Sequence, residues 1–91
     1  MNILEEADFL INGPRQDRYG HPLDDFGRTA QIWSAIIGFP ITPEQVALCM
    51  VGVKLSRECN QHHEDNLIDA AGYLGTCQMV IEEQQRRGDK A

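Results

Sequence analysis

The chain has 91 residues, with 8 Lys and Arg against 14 Asp and Glu, and therefore a formal net charge of −6. A chain of this length forms one domain with a small hydrophobic core, and self-association often supplements such a core. The acidic balance argues against binding to duplex nucleic acid or to a membrane, because both need a basic surface. A small anionic ligand stays open, since the local charge of a site can oppose the net charge.

The cysteines and the apolar segments indicate a cytoplasmic protein. Cys49, Cys59 and Cys77 are an odd number and form no CxxC motif, so neither a disulfide framework nor a structural zinc site is expected. The N-terminus is acidic and has no signal-peptide pattern. The longest apolar run, residues 46–53, is too short to span a membrane.

The first helix is predicted from Ile3 to about residue 12. Asn2 and Glu5 fit a capping box, and apolar residues recur on one helical face through Ile11. Gly13-Pro14 should end this helix. Residues 12–22 are rich in turn-forming residues and are predicted to be a polar loop.

Three further helices are predicted after this loop. The second begins at Pro22 and ends before Gly38, and the third begins with the capping signal Thr42-Pro43-Glu44-Gln45. The third is apolar nearly all round over residues 46–53, which is typical of a helix buried on most sides. The fourth is predicted over residues 64–87, with residues 88–91 as a frayed tail.

The predicted fold is therefore all-α, a single helical domain over residues 1–87. A short connection predicts that the third and fourth helices form an antiparallel hairpin at the centre. The third helix has more apolar surface than three small neighbours can cover. We therefore expect a helical bundle completed by homo-oligomerisation, with the hairpin in the interface.

One group of charged residues should meet near the turn of this hairpin. Lys54 and Glu58 are four residues apart on one helix, and Asp65 and Asp69 are four apart on the next. Carboxylates that share a cleft form the hard oxygen site that Mg²⁺ prefers, so Glu58, Asp65 and Asp69 are candidate metal ligands. The alternative is structural: Asp69 pairs with Lys54 or Arg57 and stabilises the hairpin.

A second group of candidate residues lies in the loop before the second helix. It combines guanidinium groups suited to phosphate, a tyrosine that can stack on a base, and an imidazole. Its members are Arg15, Arg18, Tyr19 and His21, with Arg28 in the following helix. The alternative is an ordered loop in which the arginines pair with Asp17, Asp24 or Asp25.

The adjacent His62 and His63 have no further His or Cys at a metal-binding spacing. Neighbouring residues cannot readily share one helical face. A solvated turn before the fourth helix is the better interpretation of this segment.

These motifs resemble a family of small domains of unknown function that are encoded mainly by bacteriophages. The resemblance covers about residues 3–83 and depends most on Tyr19-Gly20-His21-Pro22 and Asp65-Asn66-x-x-Asp69-x-x-Gly72-Tyr73. That family is similar to the helical "nucleotide modification associated domain 1" group. Both look like distant relatives of the MazG-type all-α nucleoside triphosphate pyrophosphohydrolases.

The resemblance implies a nucleotide-handling phage protein in the host cytoplasm. MazG-type enzymes bind Mg²⁺ through an ExxE and an ExxD motif and split a nucleoside triphosphate into monophosphate and pyrophosphate. Asp69 corresponds to the aspartate of the ExxD motif, and Glu58 corresponds to one glutamate of the ExxE motif, which would make both residues catalytic. Asn66 stands at the glutamate position of the ExxD motif. Phosphate charge would be neutralised by the loop arginines together with Lys54 and Arg57.

Three functions stay open on this basis. The first is a Mg²⁺-dependent enzyme, or a degenerate one, that binds and hydrolyses a nucleotide. The second is a non-catalytic module that sequesters a nucleotide signal or binds a host protein during infection. The third is a purely structural oligomer, in which Lys54–Asp69 and Arg57–Glu58 are ion pairs of the hairpin.

Overall fold

A computed structural model describes residues 1–90, with the side chains of residues 1–88. Over this part of the chain the fold is all-α, as predicted. Its helices are α1 (Ile3–Asn12), α2 (Pro14–Tyr19), α3 (Pro22–Ile37), α4 (Pro43–Asn60) and α5 (Glu64–Lys90). α5 continues past the predicted end at Arg87, and Ala91, the end of the predicted tail, lies outside the described residues.

Local hydrogen bonds explain where the predicted helices begin. The Asn2 side chain accepts from the Glu5 backbone N–H at 2.9 Å, and the Glu5 carboxylate accepts from the Asn2 N–H at 3.0 Å. The same reciprocal pair at α4 joins Thr42 and Gln45, at 3.2 and 2.9 Å. Each capping box satisfies backbone donors that the first turn of a helix leaves without partners, so both predicted helix starts are confirmed.

α2 corrects the prediction of a loop over residues 12–22. Pro14 occupies its first turn, and Gly20, at a φ of 79°, follows its last residue. The side-chain amide of Gln16 also donates to the carbonyl of Ile11 at 3.2 Å, across the junction with α1. Six residues are too few for a recognisable apolar period, so the turn-forming residues at both ends read as a loop.

α4 and α5 form the predicted antiparallel hairpin. Near the start of α4, Glu44 accepts a hydrogen bond from Gln84 at 3.3 Å and is approached by the Cys77 thiol at 3.8 Å. Farther along α4, Lys54 pairs with Asp69 at 3.0 Å. Residues later in α4 therefore contact residues earlier in α5, as expected for an antiparallel pair of helices.

α1 and α3 pack on different parts of this hairpin. α1 packs closely against α5 at Gly75, where an added Cβ would be only 2.7 Å from the Ile11 side chain. The core forms between α3 and α4 around Phe26, Ala30, Val46 and Ala47, with partly buried Trp33, Ile41, Tyr73 and Cys77 around it.

The apolar surface of α4 is only partly buried within one chain. Val46 and Ala47 are fully buried, but Leu48 is 51% exposed and Leu55 is 52% exposed. The expectation that this helix is buried on most sides is therefore not met by a single copy. The predicted homo-oligomer, which would cover this surface, stays a prediction.

Candidate functional site

A pocket of about 280 Å³ opens between α1, α2 and α5. Its apolar part comes from α1 and α5, and its charged and aromatic groups come from α2 and α5. The lining residues are Ala7, Leu10, Ile11, Pro14, Arg15, Arg18, Tyr19, Ile68, Asp69, Gly72, Tyr73 and Thr76. We call this the first pocket. Of the residues predicted from the sequence, it brings together Arg15, Arg18, Tyr19 and Asp69.

α2 carries the cationic side of the first pocket. Arg15, Arg18 and Tyr19 are spaced at i, i+3 and i+4, which places them on one face of a helix. The Arg15 guanidinium carbon lies 5.3 Å from the ring centres of both Tyr19 and Tyr73, and 5.7 Å from that of Phe26. These are cation–π distances. Among the described residues no carboxylate accepts a hydrogen bond from the Arg15 guanidinium group, so its N–H donors can serve a ligand.

The ion pair of Arg15 is correspondingly loose. Arg15 and Asp25 approach to 3.9 Å, near the limit for a salt bridge. Arg18 contacts the Tyr19 ring at 5.5 Å, and its side chain makes no ion pair with the described residues. The alternative in which aspartates neutralise both arginines therefore holds only in part, for Arg15.

Asp69 lines the first pocket and also stabilises the hairpin. Its carboxylate is 3.0 Å from the Lys54 ammonium group, and the side chains are 39% and 15% exposed respectively. The ion pair that the sequence left as an alternative is thus present. Since Lys54 offsets the charge of Asp69, this carboxylate repels an anion in the pocket less than it would alone.

Two lining residues on α5 were not selected from the sequence. Tyr73 and Thr76 follow Asp69 at i+4 and i+7, and this spacing on one helical face was the signal that could have identified them. Thr76 is 1% exposed, and its Oγ1 has no hydrogen-bond partner in the described structure. A buried polar atom without a partner is costly and often marks a functional site.

A second pocket, of about 190 Å³, lies beside the first. Arg15, Tyr19 and Tyr73 line both pockets. The remaining walls come from α3 and α4: Asp25, Phe26, Thr29, Trp33, Val46 and Met50. Phe26 and Tyr73 are in aromatic contact there, with ring centres 6.2 Å apart.

Glu58 is placed at the hairpin turn and lines neither pocket. Its carboxylate accepts from the His63 backbone N–H at 3.0 Å and from the Asn66 side chain at 3.2 Å, and it also contacts the His62 ring. These hydrogen bonds lower the pKa of Glu58 from 4.5 to about 2, and the bond with His62 has the largest effect. Glu58 therefore joins the end of α4 to the residue before α5 and to a side chain of its first turn, in a turn whose histidines are exposed as expected.

The other predicted residues lie outside both pockets. His21 precedes α3, and its Nδ1 accepts from the Leu23 backbone N–H at 3.1 Å, as a helix cap. Arg28, Arg57 and Asp65 are exposed. The structural alternative of an Arg57–Glu58 ion pair is not seen among the described side chains.

The predicted carboxylates do not converge on a metal position. Within the described residues, no group of three or more His, Cys, Asp and Glu side chains is arranged to hold a metal ion. Glu58 accepts hydrogen bonds at the hairpin turn, Asp69 pairs with Lys54, and Asp65 is exposed. The residues present therefore do not fit a Mg²⁺ ion held jointly by these three side chains.

The fold and the pockets define a small all-α domain with a cationic, tyrosine-lined cleft. The chain belongs to the family described as domain of unknown function DUF6378, whose model matches residues 2–81. The predicted resemblance to such a family is thereby confirmed. The resemblances to nucleotide modification associated domain 1 and to MazG-type enzymes stay predictions.

The chain is also similar to two bacteriophage proteins. It is 38% identical over 89 residues to the Gene 55 protein of Mycobacterium phage L5, across 94% of this chain and 57% of that protein. It is 37% identical over 83 residues to the Gene 55 protein of Mycobacterium phage D29, across 90% of this chain and 55% of that protein. The chain thus spans somewhat more than half the length of these relatives. No solved structure matches it.

None of the described helices combines the length and the apolar character that a membrane crossing requires.

Proposed function

We propose that the first pocket binds a small phosphorylated ligand, most simply a nucleotide, in a phage protein of the DUF6378 family. The observation that carries the proposal is the pairing of two arginines with two tyrosines around one concave, partly apolar pocket. Guanidinium groups donate in a geometry that matches phosphate oxygens. Tyrosine rings accept flat heterocycles by stacking.

The charges around the pocket support an anionic ligand despite the acidic protein. Arg15 and Arg18 both line the first pocket, and only Asp69 opposes them there. Lys54 neutralises Asp69 at 3.0 Å. In a chain of net charge −6, this is a local cationic region, and such regions select small anions over long polyanions.

The apolar side chains of the pocket favour a ligand that also has an apolar or organic part. Leu10 and Ile11 from α1 and Ile68 from α5 line the same pocket as the arginines. Ligand pockets of this kind combine a mostly apolar lining with a few polar groups that set orientation. A phosphate attached to an organic group can contact both the arginines and the apolar side chains, whereas inorganic phosphate can contact only the arginines.

The proposal is for binding, and it does not depend on a metal. The resemblance to MazG-type enzymes implies Mg²⁺-dependent hydrolysis, but Asp69 is the one carboxylate that lines the pocket, and it is paired with Lys54. This activity, and the alternative of a host-protein partner, stay predictions.

Isothermal titration calorimetry of nucleoside monophosphates, ATP and inorganic phosphate, in Mg²⁺ and in EDTA, tests the proposal. We expect nucleotides to bind in EDTA and more tightly than inorganic phosphate. Arg18→Gln should weaken nucleotide binding about tenfold, because a charged hydrogen bond contributes about 1.5–3 kcal/mol. Arg86→Gln, at an exposed arginine on α5 away from the pockets, is the charge-matched control and should bind as the wild type does.

Two results would contradict the proposal: no nucleotide binds, or Arg18→Gln binds as tightly as the control. Pyrophosphate release from ATP in the Mg²⁺ samples is measured in parallel. Release that Asp69→Asn abolishes would support the MazG-like activity in addition to binding.

A further inference from the structure

The second pocket adjoins the first at Arg15. The two pockets share Arg15, Tyr19 and Tyr73 as lining residues, so a ligand that contacts these side chains lies at the border of both. Arg18 lines only the first pocket, and Trp33 and other side chains of α3 and α4 line only the second. One side is thus suited to an anion and the other to a ring.

The walls of the second pocket are suited to a flat group. Tyr73 and Trp33 are the partly buried aromatic residues of its lining, and the buried Phe26 packs against Tyr73 with ring centres 6.2 Å apart. The planar guanidinium of Arg15 lies against the rings of Phe26 and Tyr73, and a base in this pocket would stack beside it. A nucleobase has this shape and stacks on aromatic rings whatever its identity.

Asp25 supplies the polar group that can distinguish one base from another. It lines the second pocket, and its side chain is 22% exposed. Its one described side-chain contact is the 3.9 Å approach of Arg15. The Thr29 hydroxyl donates to the backbone carbonyl of Asp25 and leaves the carboxylate free to accept. A carboxylate beside aromatic walls selects ligands that present N–H donors.

We infer that the second pocket is the base subsite of a nucleotide whose phosphate lies in the first pocket, and that Asp25 makes it prefer guanine. This inference rests on the proposed function. Guanine presents two adjacent N–H donors on its pairing edge, which match the two oxygens of one carboxylate. Adenine and cytosine present one amino group there. Uracil presents one N–H between two carbonyl oxygens that a carboxylate repels.

Trp33 is the only tryptophan of the chain, and it lines the second pocket, so its fluorescence reports on that pocket. Wild-type protein is titrated with GMP, UMP and ribose 5-phosphate, and calorimetry provides affinities independently of fluorescence. We expect GMP to quench Trp33 and to bind about tenfold more tightly than UMP, within the range for one bidentate base contact. Ribose 5-phosphate should bind more weakly and leave the fluorescence unchanged.

Asp25→Asn tests the assignment of the base preference. An amide donates as well as accepts, so the ratio of GMP to UMP affinity should fall from about ten to about one. Asp17→Asn removes the same charge from an exposed position on α2 that lines neither pocket, and it should keep the wild-type ratio.

The outcomes separate the inference from the proposed function. If GMP and UMP bind the wild type equally, or if Asp25→Asn keeps the preference for GMP, the base subsite is wrong and phosphate binding in the first pocket stands. If neither nucleotides nor ribose 5-phosphate bind, the proposed function is wrong as well.

Discussion

Replacing Thr76 by valine should stabilise the protein. Thr76 is 1% exposed, and its hydroxyl oxygen has no hydrogen-bond partner in the described structure. Burying such a group costs about 1–3 kcal/mol, whereas a methyl group of similar size gains from burial. Both residues are β-branched and have similar helix propensities, so the backbone contribution nearly cancels. We expect the free energy of unfolding to rise by about 1–2 kcal/mol.

Urea and thermal denaturation followed by circular dichroism measure this change. For a domain of this size, 1 kcal/mol raises the melting temperature by about 4–8 °C, and the urea m-value should not change. Thr29→Val is the matched control, because the Thr29 hydroxyl donates to the Asp25 carbonyl at 3.1 Å and its removal should not stabilise the fold. If Thr76→Val is less stable than the wild type, the hydroxyl has a partner and the reasoning is refuted.

Three further predictions concern the hairpin, its turn and the packing of α1. A double-mutant cycle with Lys54→Met and Asp69→Asn should give a coupling energy of about 1–2 kcal/mol by urea denaturation, because the pair is half-buried at 3.0 Å. Glu58, whose pKa is lowered from 4.5 to about 2, should stabilise the fold fully above about pH 4.5 and lose this effect as the pH falls toward 2. The melting temperature of Glu58→Gln should therefore be lower than that of the wild type at neutral pH and approach it in acid. Gly75→Ala should lower the free energy of unfolding by about 0.5–1.5 kcal/mol relative to an unobstructed Gly→Ala change, because its Cβ would lie 2.7 Å from the terminal Cδ1 of Ile11, which must rotate away.

Each of these predictions has a result that contradicts it. A coupling energy near zero would mean that Lys54 and Asp69 act independently. If the difference in melting temperature between Glu58→Gln and the wild type stays constant from pH 7 to pH 2, the ionised carboxylate of Glu58 does not stabilise the hairpin turn. Gly27→Ala, where an added Cβ meets no atom within 4 Å, is the reference for Gly75→Ala. Equal stability of the two glycine variants would contradict the close approach of α1 and α5.

The helix starts could be predicted because their causes are local. The capping boxes of Asn2 with Glu5 and of Thr42 with Gln45 join residues three apart, and both form as expected. α2 is not predicted because it is too short for an apolar period and lies between turn-forming residues, and one of its contacts is with an element far along the chain. Arg15, for example, lies against the ring of Tyr73, on a different helix far along the chain.

The sequence predicts the α2 residues of the candidate site but not how the carboxylates of α4 and α5 are used. The residue types of α2 indicated phosphate binding, and Arg15, Arg18 and Tyr19 do line a pocket. Glu58 looked like a metal ligand because carboxylates four residues apart resemble a shared site, but its oxygens accept hydrogen bonds at the hairpin turn. Spacing within a helix shows which residues share a face, and it does not show which atoms on the neighbouring helix that face meets.

The sequence alone determines the all-α class, the starts of the four predicted helices and the antiparallel hairpin, because these depend on capping hydrogen bonds, apolar spacing and a short connection. The tertiary structure decides what no local pattern contains. It pairs Lys54 with Asp69, and it places Tyr73 of α5 beside Arg15 of α2, so that both residues line both pockets. Among the described residues it also leaves the hydroxyl of Thr76 buried without a partner. The pockets form where α1, α2 and α3 meet the hairpin, since their walls are far apart in the chain and are brought together only when the core packs.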